Sequence, residues 1–156
     1  MARFSTTQPG ELIRRARLDA GLTQSELASR AGISQPSLAQ MEKGMRAASD
    51  EMLERVLRAA DYRPSLPLAD FADQITALAA RRGIESVRVF GSTVRGEDHF
   101  DSDIDLMVSV GGEADLFDLA LFADEVRALT GFPVDVVTET AASPHAAEAA
   151  REAVPL

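Results

Sequence analysis

Between residues 10 and 61 the chain is interrupted at short intervals by a glycine with a hydroxyl residue close behind it: Gly21 before Thr23, Gly32 before Ser34, Gly44 before Ser49. Glycine ends a helix by taking a left-handed conformation, and serine or threonine starts the next one by capping its free amides. This punctuation excludes long helices and predicts four short ones. The first runs from Gly10 to Ala20, with Leu12, Ile13, Ala16 and Leu18 near helical spacing. The second opens on the capping box Thr23-Gln24-Ser25-Glu26 and buries Leu27, Ala28 and Ala31. The third is capped by Ser34, tolerates Pro36 in its first turn and turns Leu38 and Met41 inward. The fourth starts near Ser49, where Asp50 and Glu51 suit the helix dipole, and buries Leu53, Val56, Leu57 and Ala60.

After this region come Pro64 and Pro67, which remove backbone donors and disfavour helix in the residues before them, so a linker is placed at 62–67. The net charge of −9 divides unevenly about that seam. Residues 1–67 hold 10 basic and 8 acidic side chains, a net of +2, whereas residues 68–156 hold 6 and 17, a net of −11. The two halves are therefore expected to do different work. With no cysteine there is no disulfide framework, thiolate metal site or cysteine nucleophile. The lack of an apolar leader or of an apolar run near 18 residues predicts a cytoplasmic protein with no membrane partner.

The second and third helices, joined by a short turn at Gly32, have the spacing of a helix-turn-helix. The stretch GLTQSELASRAGISQPSLAQMEKG resembles the XRE/Cro-type repressor domain, over about residues 10–61. That resemblance places Gln24 against a DNA backbone and Gln35, Ser37 and Gln40 toward the major groove. Gln35 is the expected base reader, because glutamine pairs bidentately with adenine, and Arg46 is placed for a phosphate. The bland alternative is a solvated face of a four-helix bundle. Arg14, Arg15 and Arg17 are read as a solvated helix face.

In the second half, residues 68–82 read as a helix, Val87–Phe90 and Ser102–Val110 as strands, Asp115–Thr130 as a helix and Phe132–Val137 as a third strand. The alanine-rich tail reads as a short, loosely held helix over Pro144–Ala153. Asp103 and Asp105, two apart, project from one face of their strand, and Asp135 lies on the next. Three carboxylates converging on one spot repel unless a cation sits among them, and hard oxygen ligands suit Mg2+ or Mn2+. The alternative is an amphipathic edge strand with its polar face in water. Upstream, with ten residues between it and Asp103, Gly91-Ser92 forms a turn where glycine lets backbone donors approach a phosphate closely. His99 has no partner at metal-ligand spacing, and Tyr62 reads as a packing residue.

RVFGS, DIDL and VDVV together resemble the nucleotidyltransferase superfamily of the DNA polymerase beta type, in its minimal branch, over about residues 68–140. The resemblance implies Asp103 and Asp105 as metal ligands, Asp135 as third ligand and general base, and Gly91, Ser92 and Arg95 as phosphate contacts. It implies two domains: an all-α helix-turn-helix bundle over 1–61, the linker, and over 68–156 a small α/β nucleotidyltransferase domain with a mixed sheet flanked by helices. Minimal nucleotidyltransferases of this kind are often antitoxins that transfer AMP from ATP to a hydroxyl of a HEPN-type toxin. The implied function is an antitoxin and autorepressor, a homodimer on operator DNA, with Mg2+ or Mn2+ and ATP or another NTP. Other readings stay open: a regulator that senses nucleotide without turnover, an enzyme acting on a small molecule or on RNA, and an antitoxin that acts by binding alone.

Overall fold

The computed structural model describes residues 2–156. Four helices come first: α1 (Pro9–Asp19), α2 (Gln24–Ala31), α3 (Gln35–Glu42) and α4 (Asp50–Ala59). Their ends follow the local chemistry. Thr23 accepts from the Glu26 amide while Glu26 reaches back to the Thr23 amide, and Ser34 and Ser49 cap α3 and α4. Gly32 closes α2 at φ 70°, in the left-handed region that costs other residues strain. The apolar stripes of these helices meet in one core, with Leu12, Ile13, Leu27, Leu38, Val56 and Leu57 fully buried.

Residues 65–82 differ from the expected linker and single helix. They form α5 (Ser65–Asp70) and α6 (Ala72–Arg81), with the break at Phe71. Pro64 stands at the N-cap position of α5 and Pro67 lies in its first turn, where amide donors have no intrahelical acceptor, so neither ring removes a helical hydrogen bond. Then follow β1 (Ile84–Phe90), α7 (Ser92–Arg95), β2 (Ile104–Val110), α8 (Leu116–Thr130), β3 (Val134–Thr138), α9 (Pro144–Glu152) and β4 (Val154–Pro155). The sheet order is β3-β2-β1-β4, with β2 and β3 parallel and the other neighbours antiparallel. A mixed sheet results because α8 carries the chain back to restart in the same direction as β2.

The alternation of β2 assigns its two faces. Ile104, Leu106 and Val108 point into the main core, which Ile75 and Ala79 of α6 and Phe122 and Val126 of α8 complete. On the opposite face Met107 packs with Phe90 and with Ala149 of α9. The C-terminal tail is thus not loose. α9 covers part of that second face, and β4 pairs with Arg88 and Val89 of β1. No described helix is long and apolar enough to cross a membrane.

The two halves share a corner. Residues 2–8 lie against the second half before the chain turns into α1: the Ser5 amide donates to the Gly131 carbonyl at 2.9 Å, and Arg127 donates to the carbonyls of Ala2 and Arg3. Phe4, Tyr62, Phe100 and Phe132 form an aromatic knot with centroids 5.2–6.1 Å apart. Tyr62 is buried, as a packing residue should be, and its hydroxyl donates to the Thr130 carbonyl. Arg58 of α4 pairs with Asp101 at 2.7 Å and lies over the Phe100 ring.

Candidate active site

β1 ends at Phe90 and is followed by Gly91, whose φ of 78° and ψ of −152° suit only glycine, and a Cβ there would collide with Asp105 Oδ2. The strand register sets Phe90 beside Asp105 and Asp105 beside Asp135, so the glycine turn and two of the carboxylates lie in a row across the sheet. Asp105 is half-buried and Asp135 exposed. Burial, then the charges of Asp135 and Asp103, push the Asp105 carboxyl up to about 6, with His145 and Arg95 opposing.

Asp103 departs from the expectation. It stands one residue before β2, and its exposed carboxylate is paired with Arg3 at 2.7 Å. Arg3 also donates to the carbonyls of Phe100 and Asp101. The convergence of three carboxylates is therefore incomplete, and among the described residues no group of three His, Asp or Glu is arranged to hold a metal ion. The donor chemistry nevertheless fits a hard cation. Asp105 is desolvated next to two like charges, which a cation would relieve, whereas Asp103 would join it only by giving up its guanidinium partner.

In front of the glycine turn and Asp105 is a cavity of about 300 Å3, bounded by Gly91, Ser92, Arg95, Asp105, His145 and Glu152 among others. Its floor is the turn and β2, and its roof is α9. Glu152, the last residue of α9, accepts the Gly91 amide hydrogen at 2.8 Å and pairs with Arg95 at 3.1 and 3.2 Å. The Gly91 amide, with help from Arg95, holds the Glu152 carboxyl below its ordinary value. Arg95 is also bound by Glu97 at 3.0 Å, and both partners raise its pKa. His145 stands edge-on to Phe90. His99 is exposed, and its Nδ1 accepts the Asp101 amide hydrogen.

Sequence reasoning missed Arg3 and Glu152. Ser143-Pro144 signals the start of α9, but no pattern in an alanine-rich segment says that it roofs the cavity.

On the first half, the residues expected to face DNA are linked in pairs. Gln35 Nε2 donates to Gln24 Oε1 at 2.9 Å, and Arg46 donates to Ser37 Oγ at 2.9 Å. Gln35, Gln40 and Arg46 are exposed, and Gln24 and Ser37 half-buried. Behind them Arg17 binds both oxygens of Glu42 at 2.6 and 3.2 Å, with side-chain exposures of only 13% and 4%, and Gln24 Nε2 donates to Glu42. Arg17 is thus a structural residue rather than part of a solvated face. The order Arg17–Glu42–Gln24–Gln35 orients the exposed amide from a buried ion pair.

Comparison with known proteins finds two family matches along the chain. Residues 13–66 match the helix-turn-helix family, and residues 72–156, more than half of the chain, match the nucleotidyltransferase domain family. A candidate protein adenylyltransferase of Methanocaldococcus jannaschii is 32% identical over 71 residues, covering 46% of this chain and 76% of that protein. The protein adenylyltransferase MntA of Thermococcus cleftensis is 36% identical over 63 residues, covering 40% of this chain and 64% of that one. A solved structure described as a candidate minimal nucleotidyltransferase superposes with a TM-score of 0.52 at 39% identity, over 57% of this chain and 92% of its own. The chain belongs to the nucleotidyltransferase domain family, and a helix-turn-helix domain precedes that domain.

Proposed function

We propose that this chain is an antitoxin that modifies its toxin and represses its own operon, transferring a nucleoside monophosphate, AMP from ATP, to a toxin hydroxyl. The observation that carries the reading is the Gly91 turn set beside Asp105 and Asp135 across one sheet, in a chain whose other half is a helix-turn-helix. The names of the two adenylyltransferases support the choice of nucleotide and of a protein acceptor.

In this reading Ser92, the Gly91 amide and Arg95 bind and orient the phosphates, which keeps the α-phosphorus in line with the incoming oxygen. That oxygen bonds to the α-phosphorus, pyrophosphate leaves, and Asp135 takes the proton of the attacking hydroxyl. Asp103, Asp105 and Asp135 would hold Mg2+ or Mn2+, which when bound neutralises phosphate charge in the transition state. On the other half, Gln24 and Arg46 anchor the operator backbone while Gln35, Ser37 and Gln40 meet base edges, with two copies engaging two half-sites.

The test incubates the protein with Mg2+, labelled ATP and the product of the neighbouring gene, and locates label by mass spectrometry. Label on a hydroxyl of that partner, lost in Asp103→Ala with the fold retained, is the expected result. A stable complex with no label would leave neutralisation by binding alone, and label on a small molecule instead would reassign the acceptor.

A further inference from the structure

We infer that the Glu152 carboxylate is an internal stand-in for a nucleotide phosphate: it occupies the donors that the nucleotide needs, and so sets nucleotide affinity. The inference rests on the nucleotidyl-transfer reading above and concerns the same cavity.

Three observations carry it. The first is the pattern of donors. One carboxylate oxygen receives both a backbone N–H from Gly91 and a guanidinium N–H from Arg95, and the other oxygen receives Arg95 again. Backbone amide plus guanidinium on adjacent oxygens is how a protein holds a phosphate group. The second is exclusion. A phosphate on those donors would stand against the Glu152 carboxylate in the same cavity of about 300 Å3, so the two anions cannot share it.

The third is the ease of release. Glu152 is the last residue of α9, and the chain leaves at once in extended conformation through Ala153 into β4, whose pairing with β1 fixes the backbone. The side chain can therefore leave its donors by rotating, with α9 and β4 in place. The contact is not what holds the helix either: Ala146 and Ala149 are buried on α9's inner side, and Ser143 caps its start.

The consequence is selection by charge. A triphosphate carries several negative oxygens and replaces Glu152 on both donors, whereas an uncharged nucleoside has nothing to offer them. Glu97 provides an internal comparison. It pairs with Arg95 from the other side but does not touch Gly91, so it neutralises the arginine without occupying the shared site.

The test is equilibrium binding of MgATP and of adenosine, by calorimetry, to the full-length protein and to Glu152→Gln, Glu152→Ala and Glu97→Gln. Melting curves confirm that each variant is folded. The amide keeps the shape and loses the charge, so Glu152→Gln should bind MgATP about fivefold to tenfold more tightly, the size expected for removing a charge-assisted competitor at a half-exposed site. Glu152→Ala should do at least as well, Glu97→Gln should change affinity by less than about threefold, and adenosine binding should be indifferent to all three. Weaker MgATP binding in both Glu152 variants would overturn the inference and make Glu152 a brace for Arg95, leaving the enzyme reading intact. An equal gain in Glu97→Gln would also overturn it, because bulk electrostatics would then suffice. No MgATP binding by any form would overturn the inference and the enzyme reading together.

Discussion

Replacing Asp105 with asparagine should stabilise the metal-free protein at neutral pH, although it alters a half-buried polar residue beside a crowded turn. The carboxyl is pushed from an ordinary 3.8 up to about 6 by burial and by Asp135 and Asp103. A raised pKa means that the folded state binds this proton more tightly than the unfolded state does. Between pH 3.8 and about 6 folding therefore favours the protonated form, and stability falls as pH rises through that window. Above it the charged carboxylate is a standing penalty. About two units correspond to about 3 kcal/mol at full strength, and partial exposure to water reduces that to about 1–1.5 kcal/mol.

Asparagine has nearly the same shape and cannot ionise, so it removes the penalty at high pH and nothing at low pH. For a chain of this length the gain corresponds to about 2–6 °C in melting temperature. The assay is calorimetric melting in EDTA at pH 4, 6 and 8, comparing Asp105→Asn with the unaltered protein so that other titrating groups cancel. The difference should be near zero at pH 4 and largest at pH 8, and Mg2+ should raise the melting temperature of the unaltered protein more than that of the variant. A constant difference across the three pH values, or a loss at pH 8, would refute the electrostatic account of Asp105.

Two further outcomes follow from the geometry. Gly91→Ala forces a Cβ into Asp105 Oδ2 at a backbone conformation reserved for glycine, and should cost about 2–3 kcal/mol in chemical denaturation; Gly112→Ala, facing open space, should be neutral, and equal effects would sink the steric argument. Arg17→Met strands the buried Glu42 carboxylate and should cost about 3 kcal/mol, with operator preference relaxed because Gln24 and Gln35 lose their anchor; adding Glu42→Gln should recover part of the loss, and a cost below about 1 kcal/mol in the single variant would show the pair to be solvated.

What was legible in the sequence was local. Thr23, Ser34 and Ser49 declare the starts of α2, α3 and α4 because a cap is decided within three residues. The alternation in β2 likewise separates Ile104, Leu106 and Val108 from Asp105 without outside information. Pro64 and Pro67 misled, because proline's effect depends on whether it falls before, at or inside a first turn, and the sequence does not say which. Arg3 on Asp103 and Glu152 on Gly91 were not visible, since each contact joins residues 61 or more positions apart and no periodicity encodes it. Arg17 looked like a surface charge because its partner lies two helices later.

The placing of Phe4 has a consequence for synthesis. A ribosome delivers this ring more than a hundred residues ahead of the surfaces that bury it, at Gly131 and Phe132. At 5–20 residues per second that is on the order of ten seconds during which helices α1 to α4 can close while the apolar strap before them still lacks its pocket. The contacts that then close join the segment before α1 to the nucleotidyltransferase half, and among them Arg3, beside Phe4, meets Asp103.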